Sequence, residues 1–263
     1  MNVINQKITI ASVSLDRLVT TELFYPTYFD PTRSYPLLIL NDGQDAETLD
    51  LITILNDLWK LNLCAPFIIA APHTNNRMQE YGVVGIHDFK GRGSLAKEYS
   101  DFVISELIPF TNKYLKTENF ESISISGFSL GGLSAFDIGW RNPNVFSHIA
   151  ACSGSFWWRI KDLKDDYTDN DRIMHQVVKS TSSKPQLKIM LTCGSLDEKA
   201  DRNKNGVIDS IDDTLDLITE LENKGFRKAD DLIFELVIGG KHTQETYGMM
   251  LAAFMKWALP RKH

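Results

Sequence analysis

Between Tyr35 and Leu259 short solid apolar runs alternate with helix-length amphipathic stretches, and that alternation leaves few architectures open. The apolar runs are PLLIL (36–40), PFIIAAP (66–72), ESISIS (121–126), FSHIAACS (146–153), LKIMLTC (187–193) and DLIFELVI (231–238). Strands covered on both faces read this way. Helical periodicity falls around 46–60, 95–115, 130–141, 211–224 and 244–258. Asn142-Pro143 and Gly225 supply stop signals after two of these helices. Strand and helix in turn predict a mostly parallel central sheet with helices on both faces, an α/β class. Before this region, INQKITIASVS and DRLVTTELFYP alternate with period two and predict an antiparallel strand pair. At 263 residues, the whole chain, 1–263, is expected to form one α/β domain. The polar stretch 161–183 is expected to make an excursion over the top of the sheet.

Charge narrows the function classes. A net charge of −6 without a basic stripe argues against a nucleic-acid partner. No run approaches the ~18 apolar residues of a spanning helix, and the first twenty residues lack a basic start followed by an apolar core. The expectation is a protein without a membrane partner, in the cytoplasm. Cys64, Cys152 and Cys193 lie in or at the end of apolar runs rather than in ligand spacing, which predicts buried free thiols.

Gly127-Phe128-Ser129-Leu130-Gly131 directly follows the strand ISIS and opens the helix LGGLSAFDIGW. A Gly-x-Ser-x-Gly turn in that context presents a strained serine hydroxyl above the sheet edge, because the flanking glycines let helix and strand approach. Serine is a weak nucleophile and needs a base to take its proton and an acid to orient the base. In such a fold the order along the chain is Ser, acid, His, each on a loop after a later strand. Of six histidines, only His242 and His263 come late enough, and only His242 directly follows a strand, in DLIFELVIGGKHTQ. His73, His87, His148 and His175 are expected to be structural or surface residues. The acid belongs after LKIMLTC, where Asp197 and Glu198 are both available and Asp197 is favoured as the first after a tight turn. Catalysis also needs donors aimed at the developing oxyanion. The backbone N–H of Leu130, at a helix N-terminus, is one candidate. The N–H of Gln44, with Asp45 next, is the other, in the loop Asn41-Asp42-Gly43-Gln44-Asp45.

With that turn, LILNDGQD, CSGSFWW and GGKHT together, the chain resembles the esterase family of α/β-hydrolases that includes enterochelin esterase-like proteins, esterase D and feruloyl esterase domains. The similarity runs from about Tyr25 to Leu259. It implies an α/β-hydrolase fold, a triad of Ser129, Asp197 and His242, oxyanion groups from Leu130 and Gln44, and no cofactor for catalysis. It also implies that Arg77 and Trp157 or Trp158 line the substrate pocket. Where many relatives carry His-Gly, this chain has Asp42-Gly43.

A second motif lies downstream. Asp201, Asn203, Asn205, Asp209 and Asp212 stand at positions 1, 3, 5, 9 and 12 of a loop with Gly206 at position 6 and the Val207 carbonyl at 7. This is the calcium-loop spacing of EF-hand and dockerin type, with Asp at position 12 where Glu is usual. A structural, non-catalytic Ca²⁺ is expected there. The predicted function is hydrolysis of a small-molecule carboxylic ester through an acyl-enzyme. Acyl transfer to another alcohol uses the same residues, and a non-catalytic binding protein on the same fold is the alternative of a different class.

Overall fold

The computed structural model describes residues 2–261. Eight strands form one sheet: β1 (Val3–Ser12), β2 (Arg17–Pro26), β3 (Leu37–Leu40), β4 (Ile68–Pro72), β5 (Ile123–Phe128), β6 (His148–Cys152), β7 (Lys188–Leu196) and β8 (Leu232–Lys241). Their spatial order is β1-β2-β4-β3-β5-β6-β7-β8. β1 pairs antiparallel with β2 and β2 with β4, while every pair from β4 through β3 to β8 is parallel. The architecture is the expected α/β sheet with an antiparallel N-terminal pair.

Period-two alternation sends the side chains of β3 into two separate cores. Leu37 and Ile39 join one apolar cluster, Leu38 and Leu40 the other. The second cluster is closed by α1 (Leu51–Lys60), which buries Leu51, Leu55, Leu58 and Trp59, and by α8 (Gln244–Ala258). The other face is covered by α3 (Ala96–Phe102), α4 (Ile108–Leu115), α5 (Leu130–Arg141), α6 (Ile173–Ser180) and α7 (Asp209–Asn223), with the four-residue α2 (Arg77–Glu80) near the sheet's rim. The helix expected over 95–115 is divided into α3 and α4 by a π-helical turn at Val103–Leu107, which ends two residues before Pro109. Proline has no N–H to complete an unbroken ladder there.

The parallel strands all point one way, so the residues after β3, β5, β6, β7 and β8 gather along one rim. Those residues include Asn41, Ser129, Ser153, Asp197 and His242. Ligand sites in open parallel sheets form at this carboxyl edge.

The stretch 161–183 contains one α-helix. A capping box between Thr168 and Asp171 leads into α6, whose Ile173, Met174 and Val178 are buried. Three apolar anchors in a polar stretch are a weak periodic signal, and packing supplies the rest. Arg172, 4% exposed, donates from Nη1 to Asp213 Oδ1 at 2.5 Å and from Nη2 to Asp216 Oδ2 at 2.6 Å. Arg202 also binds Asp213, through Nη1 to Oδ2 at 3.1 Å. One buried carboxylate on α7 therefore holds two guanidiniums. Removing one member of a buried ion pair leaves charge without compensation. Asp213→Asn is expected to lower unfolding stability by about 3–5 kcal/mol, read as a lower urea midpoint with an unchanged slope.

Candidate active site

Ser129 occupies the single residue between β5 and α5, with φ 57° and ψ −122°. That backbone conformation is costly for a residue with a side chain. Its N–H donates to the Cys152 carbonyl at 2.9 Å, and its own carbonyl accepts from Gly132, Leu133 and Ser155 at 3.0, 3.1 and 3.0 Å. The turn is thus held by β6 on one side and by α5 on the other. Close approach explains the flanking glycines. A Cβ on Gly127 would overlap the Gly131 carbonyl, and one on Gly131 would lie 2.6 Å from Asp42 Oδ2.

Asp197 follows the last residue of β7, and its side chain is 1% exposed. Oδ2 accepts the Gly194 N–H at 3.0 Å, whereas Oδ1 is buried without a hydrogen-bond partner. Facing that oxygen, at 3.8 Å, is Nδ1 of His242. The imidazole lies tilted over Phe128, ring centroids 4.4 Å apart, and Phe128 is the residue before Ser129. Phe128 is in turn stacked on Tyr247 at 4.9 Å, so the ring under His242 is fixed by α8. Glu198, the other carboxylate, accepts the Ser210 N–H at 2.6 Å at the start of α7 and points away from this arrangement. Burial raises its pKa.

The remaining histidines are engaged elsewhere or exposed. His73 meets Glu22 at 3.1 Å, His148 sits edge-on to Trp257, and His175 bonds the Asp213 carbonyl at 2.8 Å. Burial lowers the pKa of His148 to about 4 and of His175 to about 3. His87 is on the surface, and His263 lies outside the described residues. Cys64, Cys152 and Cys193 are free and buried, as expected, and burial pushes each thiol up to about 12. Thiolate chemistry is therefore suppressed at all three.

The loop after β3 is bound into the same rim. Gly43–Asp45 makes a 3₁₀ turn preceded by Asp42 in the left-handed region, φ 64°. Leu130 is buried at the first position of α5, where the helix dipole favours negative charge. The Gln44 side chain donates to Asp42 Oδ1 at 2.8 Å and accepts from the Thr74 N–H at 3.2 Å. Asp45 Oδ2 accepts from Gln244 Nε2 at 2.9 Å, two residues beyond His242. Burial, with the Asp42 charge adding to it, raises the pKa of Asp45. Arg77 donates from Nε to Asp42 Oδ1 at 2.9 Å and from Nη2 to Asp42 Oδ2 and the Phe128 carbonyl, both at 3.0 Å. The two tryptophans divide. Trp158 is fully buried in the core, against the Gly82 and Gly93 backbone, and does not face open space. Trp157 is half-buried, with the Arg92 guanidinium 5.4 Å from its ring.

At 201–212 both oxygens of Asp201 accept backbone N–H groups, from Asn205 at 3.1 Å and Gly206 at 2.9 Å. Asn203 and Asn205 converge on Asp212 at 2.6 and 3.2 Å, and Gly206 takes φ 86° as the sixth position requires. Asp209 is turned toward Arg202, accepting its N–H at 2.9 Å. Among the described residues no three His, Cys, Asp or Glu side chains group as metal ligands. Nor is any described helix long and apolar enough to cross a membrane.

Asn41, Asp42, Tyr81, Tyr99 and Gln244 hold this rim together but carry no sequence signature of doing so.

Solved structures share this fold over nearly the whole chain. A ferulic acid esterase superposes with a TM-score of 0.73 at 17% identity, covering 98% of each chain. The siderophore hydrolase EstB of Aspergillus nidulans gives 0.72 at 16% identity, over 98% of this chain and 96% of that one. The enterobactin esterase FES of Shigella flexneri gives 0.73 at 18%, over 97% of this chain and 59% of that one. Among curated sequences, the uncharacterized protein YbbA of Bacillus subtilis (strain 168) is 23% identical over 138 residues. The matched stretch spans about half of each, 51% of this chain and 55% of YbbA. The profile of the "Putative esterase" family matches residues 12–257. With the α/β-hydrolase sheet and its rim in place, the chain belongs to that esterase family.

Proposed function

We propose that this protein is a carboxylic ester hydrolase working through an acyl-enzyme, with Ser129 as nucleophile, His242 as base and Asp197 as the acid that orients it. One observation carries the assignment. A buried carboxylate with one oxygen satisfied and the other unpaired faces His242 Nδ1, and that imidazole rests on the neighbour of a serine in a strained turn. An unpaired buried carboxylate oxygen is expensive, and an imidazolium forming at Nδ1–H would relieve it. Asp197 thereby favours the tautomer with Nε2 free to accept the Ser129 proton.

In the first half-reaction Ser129 Oγ attacks the ester carbonyl carbon while His242 takes the hydroxyl proton. The carbonyl oxygen becomes an oxyanion, received by the N–H of Leu130 at the α5 dipole and by the N–H of Gln44. As the tetrahedral intermediate collapses, His242 returns the proton to the departing alcohol. Water then repeats the sequence on the acyl-Ser129 and releases the acid. Trp157 is proposed as a wall of the substrate pocket; Arg77, expected there from the resemblance, has its guanidinium engaged by Asp42 and the Phe128 carbonyl. A small-molecule ester is the proposed substrate, and feruloyl and siderophore esters, named for the structural relatives, are the first to assay. Three free buried thiols favour a reducing compartment such as the cytoplasm.

Loop 201–212 is proposed to hold a structural Ca²⁺ through Asp201, Asn203, Asn205, the Val207 carbonyl, Asp209 and Asp212. The ligand spacing and the positive φ of Gly206 at the sixth position support it. An ion there stiffens the segment that carries Asp197, and no step of the reaction passes through it.

Ser129→Ala is expected to cut p-nitrophenyl ester turnover by about 10⁴–10⁶-fold; equal rates would remove Ser129 from the mechanism. Asp197→Asn should lower kcat by roughly 10⁴-fold while Glu198→Gln stays near wild type, and the reverse ranking would move the acid to Glu198. Adding calcium to chelator-treated protein, at about a hundred times Kd, should raise Tm by roughly 5–10 °C. A melting curve indifferent to calcium removes the ion from the loop.

A further inference from the structure

Resting on Ser129 as nucleophile, we infer that Arg77 is a positioning residue: it locks the loop carrying the second oxyanion donor to the peptide that precedes the nucleophile. The guanidinium bonds both oxygens of Asp42 in a bidentate fork and also the carbonyl of Phe128. That carbonyl belongs to the same peptide unit as the Ser129 N–H, which is itself held by Cys152 O. Both polar ends of the unit are thus fixed, so the plane entering the strained turn has no freedom to rotate.

Asp42 needs this partner. It is 5% exposed and in the left-handed region, so its charge and its backbone conformation must both be stabilised by surroundings. Besides Arg77, its carboxylate takes Gln44 Nε2, and its N–H donates to Tyr81 Oη at 2.9 Å. Arg77 lies 5.3 Å from the centroid of the Tyr81 ring. Residue by residue, the loop is tied to its neighbours: Asn41 Nδ2 to the Gly131 carbonyl at 2.8 Å, Asp42 to Arg77, and Asp45 to Gln244. Arg77 is the cation in this set and the only one of these ties to reach the residue before Ser129. A lysine keeps the charge but not the planar fork.

A wall of the substrate pocket and a positioning residue behave differently in kinetics. Loosening catalytic geometry by about 1 Å costs on the order of 10²-fold in rate, and it does so whatever acyl chain is bound. The experiment uses the full chain with Arg77→Lys, Arg77→Met, Asp42→Asn and the Arg77→Met/Asp42→Asn double variant. Asn tolerates positive φ, so Asp42→Asn is the variant expected to retain the loop conformation. For each, kcat and KM are measured on p-nitrophenyl acetate and octanoate, alongside the second-order rate of labelling by a small ethyl fluorophosphonate. Thermal melts establish that each variant is folded.

The expected result is a fall of roughly 10- to 100-fold in kcat and in labelling rate, alike for both esters, with KM within about threefold. Arg77→Lys should recover little of this, and the double variant should be no worse than the poorer single one, since both changes break one bridge. A rise in KM at constant kcat, a loss that depends on acyl length, or normal labelling would overturn positioning in favour of a pocket wall. Additive losses would separate Arg77 from Asp42. A wild type that neither hydrolyses the esters nor labels at Ser129 overturns the reading of the nucleophile, and this inference with it.

Discussion

One backbone reversal governs the rim of this molecule. Between β5 and α5 the chain changes from strand to helix across Ser129 alone, in a conformation that costs on the order of 1–3 kcal/mol for a non-glycine residue. A turn this tight persists only where its surroundings leave no alternative. Here Gly127 and Gly131 permit the contact, Cys152 and Ser155 bond the serine's backbone, and Arg77 holds the peptide before it. The strain places a hydroxyl at the carboxyl edge of the sheet and a helix N-terminus directly behind it.

Two buried carboxylates at that edge show how partners separate roles. Asp42 is saturated by Arg77 and Gln44, and its charge is spent on structure. Asp197 receives one backbone N–H and leaves its other oxygen open toward His242. A carboxylate with both oxygens engaged is a fixed support. One with an oxygen in reserve is suited to respond when a neighbouring imidazole gains charge. Aromatic rings and cations close the outer rim: Arg92 lies over Trp157 and Trp158, and Arg159 lies near both Phe89 and Tyr167.

Much of this was legible in the sequence because it rests on local rules. Every apolar run between 36 and 238 contains a strand in the structure; the inner strands are covered on both faces, whereas β8 at the sheet edge exposes Leu236 and Ile238. Strand direction then carried Ser129, Asp197 and His242 to one edge. Less legible were α6, with only three apolar anchors in eight residues, and the π turn inside 95–115. Trp158 and Trp157 are adjacent and identical in type, yet one is wholly buried and the other half-exposed, a difference that no spacing records.

By itself, then, the sequence determined the alternating elements, the parallel sheet, the turn around Ser129 and the order of the side chains along its rim. Periodicity, glycine placement and strand polarity are properties of neighbouring residues, so they survive in the linear string. Only the tertiary structure decided that Asp197 rather than Glu198 faces His242, and that Arg77 binds Asp42 across 35 positions to reach a carbonyl 51 positions away. Those choices depend on which buried charge finds a partner. Such pairing is settled by distances across the fold, and the linear sequence carries no measure of them.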